Sequence, residues 1–221
     1  MHTVFRFLRQ LLLTVLLLAL LVLVAAGGYF AVTGHKLYES AIQVIPIDTL
    51  YSSISSREGF VPYAQLPQTY INAVISAEDS RFTHHKGGDP VSIARALVTD
   101  LRTGSFAEGG STITQQLAKN TLFTQEKHLA RKAAEMFAAL AIEKQYNKEQ
   151  IFEMYVNTIY FGSGHYGIGE AAQGYFGKTP LQLTDAEACP MLHRPTRPTA
   201  ARTWPSSGCR WCSTGWSGAK S

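Results

Sequence analysis

Three clusters of polar residues have the types and spacing that could carry out chemistry. The first runs from Glu78 to Asp89, where three acids, two histidines, basic side chains and glycines lie at the end of an apolar-faced helix. Carboxylates grouped in this way can serve acid–base catalysis, although an ordinary solvated helix end has a similar composition. The histidines lack the HExxH spacing of a zinc site, so a zinc ion is disfavoured.

The second cluster covers residues 109–120. Two glycines lead into Ser111 and Thr112 at the start of a helix, and Lys119 lies about two turns along it. Backbone N–H groups, hydroxyls and a cation arranged in this way can bind an anion. The GxxxxGK[ST] pattern of a P-loop is missing. A flexible loop that ends in an ordinary helix cap is the alternative interpretation.

The third cluster, residues 131–135, places Arg131 and Glu135 four residues apart on one helical face, with Lys132 beside them. The pair lies next to an apolar stripe rather than within it. By itself this spacing predicts an exposed ion pair on a helix surface.

Helices must position these clusters. Apolar residues recur at helical spacing in four segments: Tyr70, Ile71, Val74 and Ile75; Ile93, Ala94, Leu97, Val98 and Leu101; Leu129, Ala133, Met136, Phe137 and Leu140; and Ile151, Phe152, Tyr155, Val156 and Ile159. Asp89 before Pro90 indicates a capped helix start, and Thr184 precedes another. Strand-like alternation is almost absent, and no internal repeat is visible. The sequence therefore predicts a mainly α domain.

An apolar segment near the N-terminus predicts a membrane anchor. No charged residue occurs from Gln10 to Gly34, and residues 11–32 are long enough for a helix to cross a bilayer. Arg6 and Arg9 precede the segment, which favours a cytoplasmic N-terminus and an extracytoplasmic domain. A cleaved signal peptide is the alternative, but the run exceeds the usual length of its apolar part.

Composition divides the rest of the chain. Residues 1–10 form a cytoplasmic end, the Pro- and Ser-containing segment 33–66 predicts an extended connector, and the globular domain covers residues 67–188. A net charge of +4 favours anionic ligands or surfaces without choosing among them. Every cysteine and tryptophan lies in the tail, residues 189–221, where the CxxC formed by Cys209 and Cys212 lacks the context of a redox or zinc motif.

Taken in order, the clusters resemble the motifs of glycosyltransferase family 51. The matching patterns are Glu78-Asp79-x-x-Phe82-x-x-His85-x-Gly87-x-Asp89, Gly110-Ser-Thr-Ile-Thr-Gln-Gln116-Leu-x-Lys119-Asn120, Arg131-Lys132-x-x-Glu135 and Lys148-x-x-Ile151-x-Glu153-x-Tyr155-x-Asn157. The resemblance covers residues 68–188. Within the family, these motifs resemble those of the monofunctional peptidoglycan glycosyltransferases and of the transglycosylase domain of class A penicillin-binding proteins.

The resemblance implies a lysozyme-like helical fold and the polymerisation of lipid II, by inverting transfer with release of polyprenyl pyrophosphate. It implies that Glu78 is the base and that Glu135 is a second essential acid that could either hold a divalent cation at the pyrophosphate or orient the basic residues. It also implies that Asp79, Phe82, His85, Gly87 and Asp89 shape the site. The implied substrate-binding residues are Ser111, Thr112, Gln115, Gln116, Lys119, Asn120, Lys127, Arg131 and Lys132. Glu153 and Asn157, which lie in an amphipathic helix, are assigned mainly to structure.

The same resemblance implies Mg²⁺ or Mn²⁺ and no organic cofactor. The implied partners are lipid II, the growing lipid-linked glycan, the membrane and other cell-wall synthesis proteins, with no nucleic acid. The protein is then expected in the bacterial cytoplasmic (inner) membrane as a single-pass protein, with its catalytic domain periplasmic or otherwise extracytoplasmic.

The match ends abruptly at Ala188. An apolar helix is expected there, but Pro, Arg, Ser and Trp follow without periodicity, which suggests a change of reading frame. Ser217 and Lys220 spell SxxK without an SDN or KTG motif, so no transpeptidase domain is expected. Two alternatives stay open: a catalytically dead or truncated membrane-bound cell-wall protein, and a lysozyme-like lytic enzyme, which would have no need of the cations between Ser111 and Arg131.

Overall fold

The computed structural model describes residues 2–103, 110–124, 129–188 and 191. Helices dominate this part of the chain: α1 His2–Val44, α2 Leu50–Ser55, α3 Gln68–Glu78, α4 Pro90–Thr103, α5 Ile113–Leu122, α6 Leu129–Gln145, α7 Lys148–Val156, α8 Ile168–Phe176 and α9 Asp185–Ala188. One antiparallel hairpin, β1 Tyr160–Gly162 and β2 His165–Tyr166, interrupts them. The predicted mainly α class is confirmed, but the hairpin was not predicted.

Helix α1 contains the predicted anchor. Its stretch Phe5–Val44 is long and apolar enough to cross a membrane, and its most apolar part is not buried within the protein. The helix extends beyond residue 32, where the predicted membrane span ends, and continues for a further 12 residues to Val44. Its last turns pack along α6. The apolar segment and the globular domain are thus joined by one continuous helix.

The segment 33–66 is not the extended connector that the sequence predicted. After α1, a 3-10 helix at Ile47–Thr49 leads into α2, whose Leu50 and Ile54 are buried in the main core. Helix α2 packs on α7. The predicted domain start at residue 67 is therefore too late, since burial of these apolar side chains outweighs the weak helix preference of the serines around them.

The core lies where α5, α6 and α7 meet. Helix α5 is buried through Ile113, Leu117 and Ala118, and α7 is almost wholly buried from Ile151 to Val156. Two capping boxes fix the starts of these helices, at Thr112 with Gln115 and at Asn147 with Gln150. Because each box satisfies backbone N–H groups that a helix start leaves unpaired, the starts of α5 and α7 are well defined.

Helix α6 turns a different face inward from the one predicted. The apolar stripe placed Leu129 and Leu140 toward the core, but these side chains are 69% and 40% exposed. The buried face consists instead of small residues with one acid and one large apolar side chain: Ala130, Ala134, Glu135, Ala138, Ala139 and Ile142. Glu135 therefore belongs to the buried face of α6.

The atypical tail lies outside the described residues except for Met191. This side chain is 7% exposed and belongs to the main core, close to Ala188 at the end of α9. The core therefore extends three residues past the change in composition. A reading-frame change stays a prediction.

Candidate active site

The two acids that end α3 have different surroundings. Asp79 is 5% exposed, and its carboxylate accepts hydrogen bonds from the Ile113 N–H at 3.1 Å and from His85 Nε2 at 2.9 Å. Glu78 is only half-buried, and its Oε2 accepts from the side-chain amide of Gln116 at 2.9 Å. Asp79 therefore ties the end of α3 to the start of α5, while Glu78 remains within reach of a ligand.

Two buried tyrosines, Tyr70 and Tyr155, lie near Glu78. The Tyr155 hydroxyl donates to Gln116 Oε1 at 3.2 Å, so the amide that contacts Glu78 is itself held in one orientation. Burial raises the pKa of Tyr155, and the negative charge of Glu78 raises it further. The pKa of Tyr70 is raised by the same two causes, and its buried hydroxyl has no hydrogen-bond partner among the described residues. Both phenols therefore stay protonated at neutral pH.

Three N–H groups at the start of α5 are engaged within the protein, which agrees with the alternative interpretation of an ordinary helix cap. The Ile113 N–H donates to Asp79, the Gln115 N–H donates to Thr112 Oγ1, and the Thr112 N–H donates to Gln115 Oε1. Thr112 and Gln115 are 2% and 3% exposed, and the Thr112 hydroxyl also donates to the Gly87 carbonyl at 2.7 Å. These two side chains hold the helix start in place, and their predicted contact with the donor stays a prediction.

A cationic group surrounds Glu135 on α6. The Glu135 side chain is 1% exposed, with Arg131 Nε 3.1 Å from one carboxylate oxygen and Lys132 Nζ 2.8 Å from the other. The Lys132 ammonium also donates to Ser111 Oγ at 2.6 Å, although half of its side chain is exposed. The predicted exposed ion pair is thus a buried acid between two cations. These three charges sum to +1, and the group contacts both ends of α5, through Lys132 at Ser111 and through Arg131 at the Thr124 carbonyl.

Three of the residues that the resemblance implies as shaping the site, Phe82, Gly87 and Asp89, pack against neighbouring elements. Phe82 is 2% exposed and lies beneath Lys148, whose ammonium is 4.4 Å from the ring centroid. Gly87 has φ +91° and lies so close to α6 that a Cβ atom would be 2.9 Å from the Ala139 carbonyl, so glycine is required here. The buried Asp89 carboxylate accepts from the Val91 N–H and the Ser92 hydroxyl, which caps α4 and lowers the Asp89 pKa.

The remaining predicted residues lie in several environments. Lys119 is half-buried in the last turn of α5, Asn120 beside it is exposed, and Lys127 lies outside the described residues. Glu153 accepts hydrogen bonds from the Tyr51 hydroxyl and the Tyr63 N–H, and Asn157 pairs with the backbone of Val61. Glu153 and Asn157 thus hold the segment before α3 against α7.

The sequence did not single out one further buried cluster. Lys148 Nζ donates to the His85 carbonyl at 2.8 Å and to Glu143 at 2.7 Å, and Glu143 also accepts from the Thr114 hydroxyl. This cluster links α5, the end of α6 and the turn that carries His85. The four-residue spacing of an ion pair could not reveal it, because Glu143 and Lys148 are five residues apart across a helix break.

A family model described as Transglycosylase matches residues 46–208. The chain belongs to the transglycosylase family. This transglycosylase is 45% identical over 150 residues to penicillin-binding protein 1A of Aquifex aeolicus, which covers 67% of this chain and 21% of that relative. It is 38% identical over 204 residues to penicillin-binding protein 1A/1B of Bacillus subtilis, covering 87% and 22% respectively. The chain spans about a fifth of the length of these relatives.

Membership confirms the resemblance to glycosyltransferase family 51 and to the transglycosylase domain of class A penicillin-binding proteins, and with it the lysozyme-like helical fold. The match begins at residue 46, which agrees with the inclusion of α2 in the core. It also runs 20 residues past Ala188, into the tail.

The described side chains of this transglycosylase form no metal centre around Glu135. Among the residues that the structure describes, no group of three or more His, Cys, Asp or Glu side chains could hold a metal ion. Both oxygens of Glu135 already face cations, which repel a divalent ion. The predicted metal ligand at Glu135 does not fit this arrangement.

Proposed function

We propose that this chain polymerises lipid II into glycan strands by an inverting transfer that releases polyprenyl pyrophosphate. The observation that carries the proposal is the relation of α5 to two different charged groups. Gln116 on α5 holds the accessible carboxylate of Glu78, and Ser111 immediately before α5 holds Lys132 of the cationic group. A base on α3 and a cationic group on α6, both held by residues at the start of α5, fit a reaction that needs both.

In the proposed step, the 4-hydroxyl oxygen of the acceptor sugar attacks the anomeric carbon of the donor. Glu78 accepts the hydroxyl proton as the new C–O bond forms, and the bond from the anomeric carbon to the pyrophosphate oxygen breaks. A single displacement of this kind inverts the anomeric configuration. The half-buried position of Glu78 suits this role, because a fully enclosed carboxylate could not reach a substrate hydroxyl.

The leaving pyrophosphate takes the bonding electron pair and gains negative charge. Lys132 is best placed to stabilise that charge, since half of its side chain is exposed while Glu135 and Ser111 direct its ammonium group. Arg131 and Lys119 supply further positive charge. Glu135 then acts on the substrate only through the cations that it orients.

The apolar helix α1 suits a substrate that never leaves the membrane. We assign the chain to the cytoplasmic membrane, with its N-terminus inside and its catalytic domain outside, because Arg6 and Arg9 precede the apolar segment. Other cell-wall synthesis proteins remain predicted partners. A divalent cation remains a prediction only as an ion held by substrate phosphates.

The test is glycan polymerisation by the detergent-purified chain on lipid II, compared with Glu78→Gln. Loss of a general base is expected to lower the rate by about 10²–10⁴-fold. Glu58→Gln is the matched control, since Glu58 is an exposed acid away from the site, and it should retain the wild-type rate. Polymer from the Glu78→Gln chain at the wild-type rate would contradict the assignment. Release of glycan fragments from finished peptidoglycan would favour a lytic enzyme instead.

A folded wild-type chain that neither polymerises lipid II nor cleaves glycan would indicate a catalytically dead protein. Its thermal melting, recorded before the assay, would show whether instability is the cause.

A further inference from the structure

The contact between the anchor and α6 is made through one glycine. Gly34 is buried on α1, and a Cβ atom there would lie 2.5 Å from the Ala133 Cβ and 2.8 Å from the Ala130 carbonyl oxygen. Contacts this short, one of them to backbone, leave no room for a side chain unless α1 or α6 moves. The two helices therefore approach so closely only because residue 34 is glycine.

Aromatic contacts continue the joint for one more turn. The His35 and Tyr38 rings lie 5.2 Å and 6.4 Å from the ring of Phe137, centroid to centroid. Glycine and aromatic contacts together fix both the distance and the rotation of α1 against α6. The anchor is thus packed onto the domain and not merely tethered to it.

The part of α6 at this joint is the part that carries the cations. Arg131 and Lys132 lie between Ala130 and Ala133, the residues that Gly34 faces, and Glu135 follows one turn later. While α1 and α6 stay packed together, the depth of α1 in the membrane sets the depth of the two cations.

The length of α1 places this joint at a definite depth. From Gln10 to Gly34 the helix is uncharged, and these 25 residues extend about 37 Å at 1.5 Å per residue. A bilayer is about 30 Å thick in its hydrocarbon core and about 40–45 Å with its polar layers. With Arg9 at the inner boundary, Gly34 lies in the outer headgroup layer, where the pyrophosphate of a lipid-linked substrate must also lie.

We propose that Gly34 is a positioning residue, which docks the membrane anchor onto α6 and so holds the Arg131–Lys132–Glu135 group at headgroup depth. The proposal rests on the proposed function for its substrate, but the depth of α6 can be measured without any reaction. It predicts that the joint matters most for substrates embedded in a bilayer.

The depth experiment uses a fluorophore on Leu129→Cys, at the exposed first residue of α6, with the native cysteines replaced by serine. The labelled chain is placed in phosphatidylethanolamine–phosphatidylglycerol vesicles that contain quenchers at known depths. Gly34→Leu should move or broaden the quenching profile. The matched control is Gly28→Leu on the same helix, where a Cβ atom meets nothing within 4 Å, and it should reproduce the wild-type profile.

The activity experiment compares two forms of lipid II in the same variants. With full-length lipid II in vesicles, Gly34→Leu should lose about tenfold or more in kcat/KM, while Gly28→Leu does not. With a water-soluble, short-chain lipid II, whose pyrophosphate needs no fixed depth, Gly34→Leu should approach the wild-type rate. A purely structural defect would lower both rates equally, and that result would overturn the proposal.

Two further outcomes are informative. If Gly34→Leu does not fold, the smaller Gly34→Ala replaces it, and a shifted or broadened quenching profile in that variant supports the contact, because its Cβ atom still meets the backbone of α6. If the wild-type chain makes no polymer yet only Gly34 variants change depth, the docking role stands and the proposed function fails. An unchanged profile in every folded Gly34 variant would overturn the docking role.

Discussion

Glu78 and Glu135 are the two acids of the proposed reaction, yet their surroundings are opposite. Glu78 is half-buried and contacts a neutral amide, whereas Glu135 is 1% exposed and lies between two cations. A carboxylate that must take up a proton needs an accessible oxygen. A buried carboxylate whose oxygens both face cations is suited to orient those cations. Similar residues at neighbouring motifs therefore have different roles because of their partners and their burial.

Removing the partner of each acid should test this contrast most strongly. Arg131→Met leaves the buried Glu135 with only one of its cations, and breaking such a pair typically costs about 3–5 kcal/mol of unfolding free energy. Gln116→Met leaves a carboxylate that water can reach, so the loss should be about 1 kcal/mol. Chemical denaturation of both variants measures the difference. Equal losses would remove the distinction between the two acids.

Changing the acids themselves should separate stability from catalysis. Glu135→Gln should lower the free energy of unfolding by about 1–3 kcal/mol, because the amide cannot balance two cations. Its activity should fall as well, since Lys132 loses its orientation. Glu78→Gln should leave stability nearly unchanged. Parallel denaturation and polymerisation assays compare the two variants, and a stability loss confined to Glu78→Gln would reverse the assignment.

A smaller effect on stability and activity is expected from a change at Tyr155, which orients Gln116, the partner of Glu78. Tyr155→Phe removes the hydroxyl that orients Gln116, while the buried ring remains. Stability should fall by less than about 1.5 kcal/mol, and kcat should decrease because the amide can rotate away from the base. Tyr51→Phe is the control, since it removes a hydroxyl bonded to Glu153 instead. A similar decrease in kcat for both variants would show that the effect is not specific to Glu78.

Glu187 provides a third, more exposed carboxylate. Hydrogen bonds from Lys178 and then from Thr184 lower the pKa of Glu187 to about 2. Because its pKa in the unfolded chain is about 4.3, this stabilisation is present above that pH and is lost as the pH falls toward 2. As the pH is lowered between these values, the melting temperature should therefore fall less steeply for Glu187→Gln than for wild type. Identical slopes would contradict the prediction.

The sequence predicted the helical class and the residues that make up the three polar clusters, because both depend on local spacing. It did not predict which face of α6 is buried. Alanines of this helix face the core, and larger apolar residues such as Leu129 are exposed. Alanine adds little to an apolar periodicity, so the larger side chains determined the predicted face. The depth of Glu135 could not be inferred without the packing of α1 and α5 around it.

The segment 33–66 shows the same limit at another scale. Its prolines and serines indicate local irregularity, and only the contact of Leu50 and Ile54 with the core explains why it folds. Likewise, two glycines and a serine before α5 suggested free N–H groups. The acceptor for the Ile113 N–H is Asp79, which lies 34 residues earlier in the chain and could not be identified from local spacing.

The engaged N–H groups at the start of α5 also bear on the effect of salt. In the proposed reaction, the pyrophosphate would meet the half-exposed Lys132, because the Thr112, Ile113 and Gln115 N–H groups already have partners within the protein. Charges that water reaches are screened, and the Debye length is about 10 Å at 0.1 M salt. Substrate capture by this chain should therefore depend on ionic strength far more than capture by a buried phosphate-binding loop.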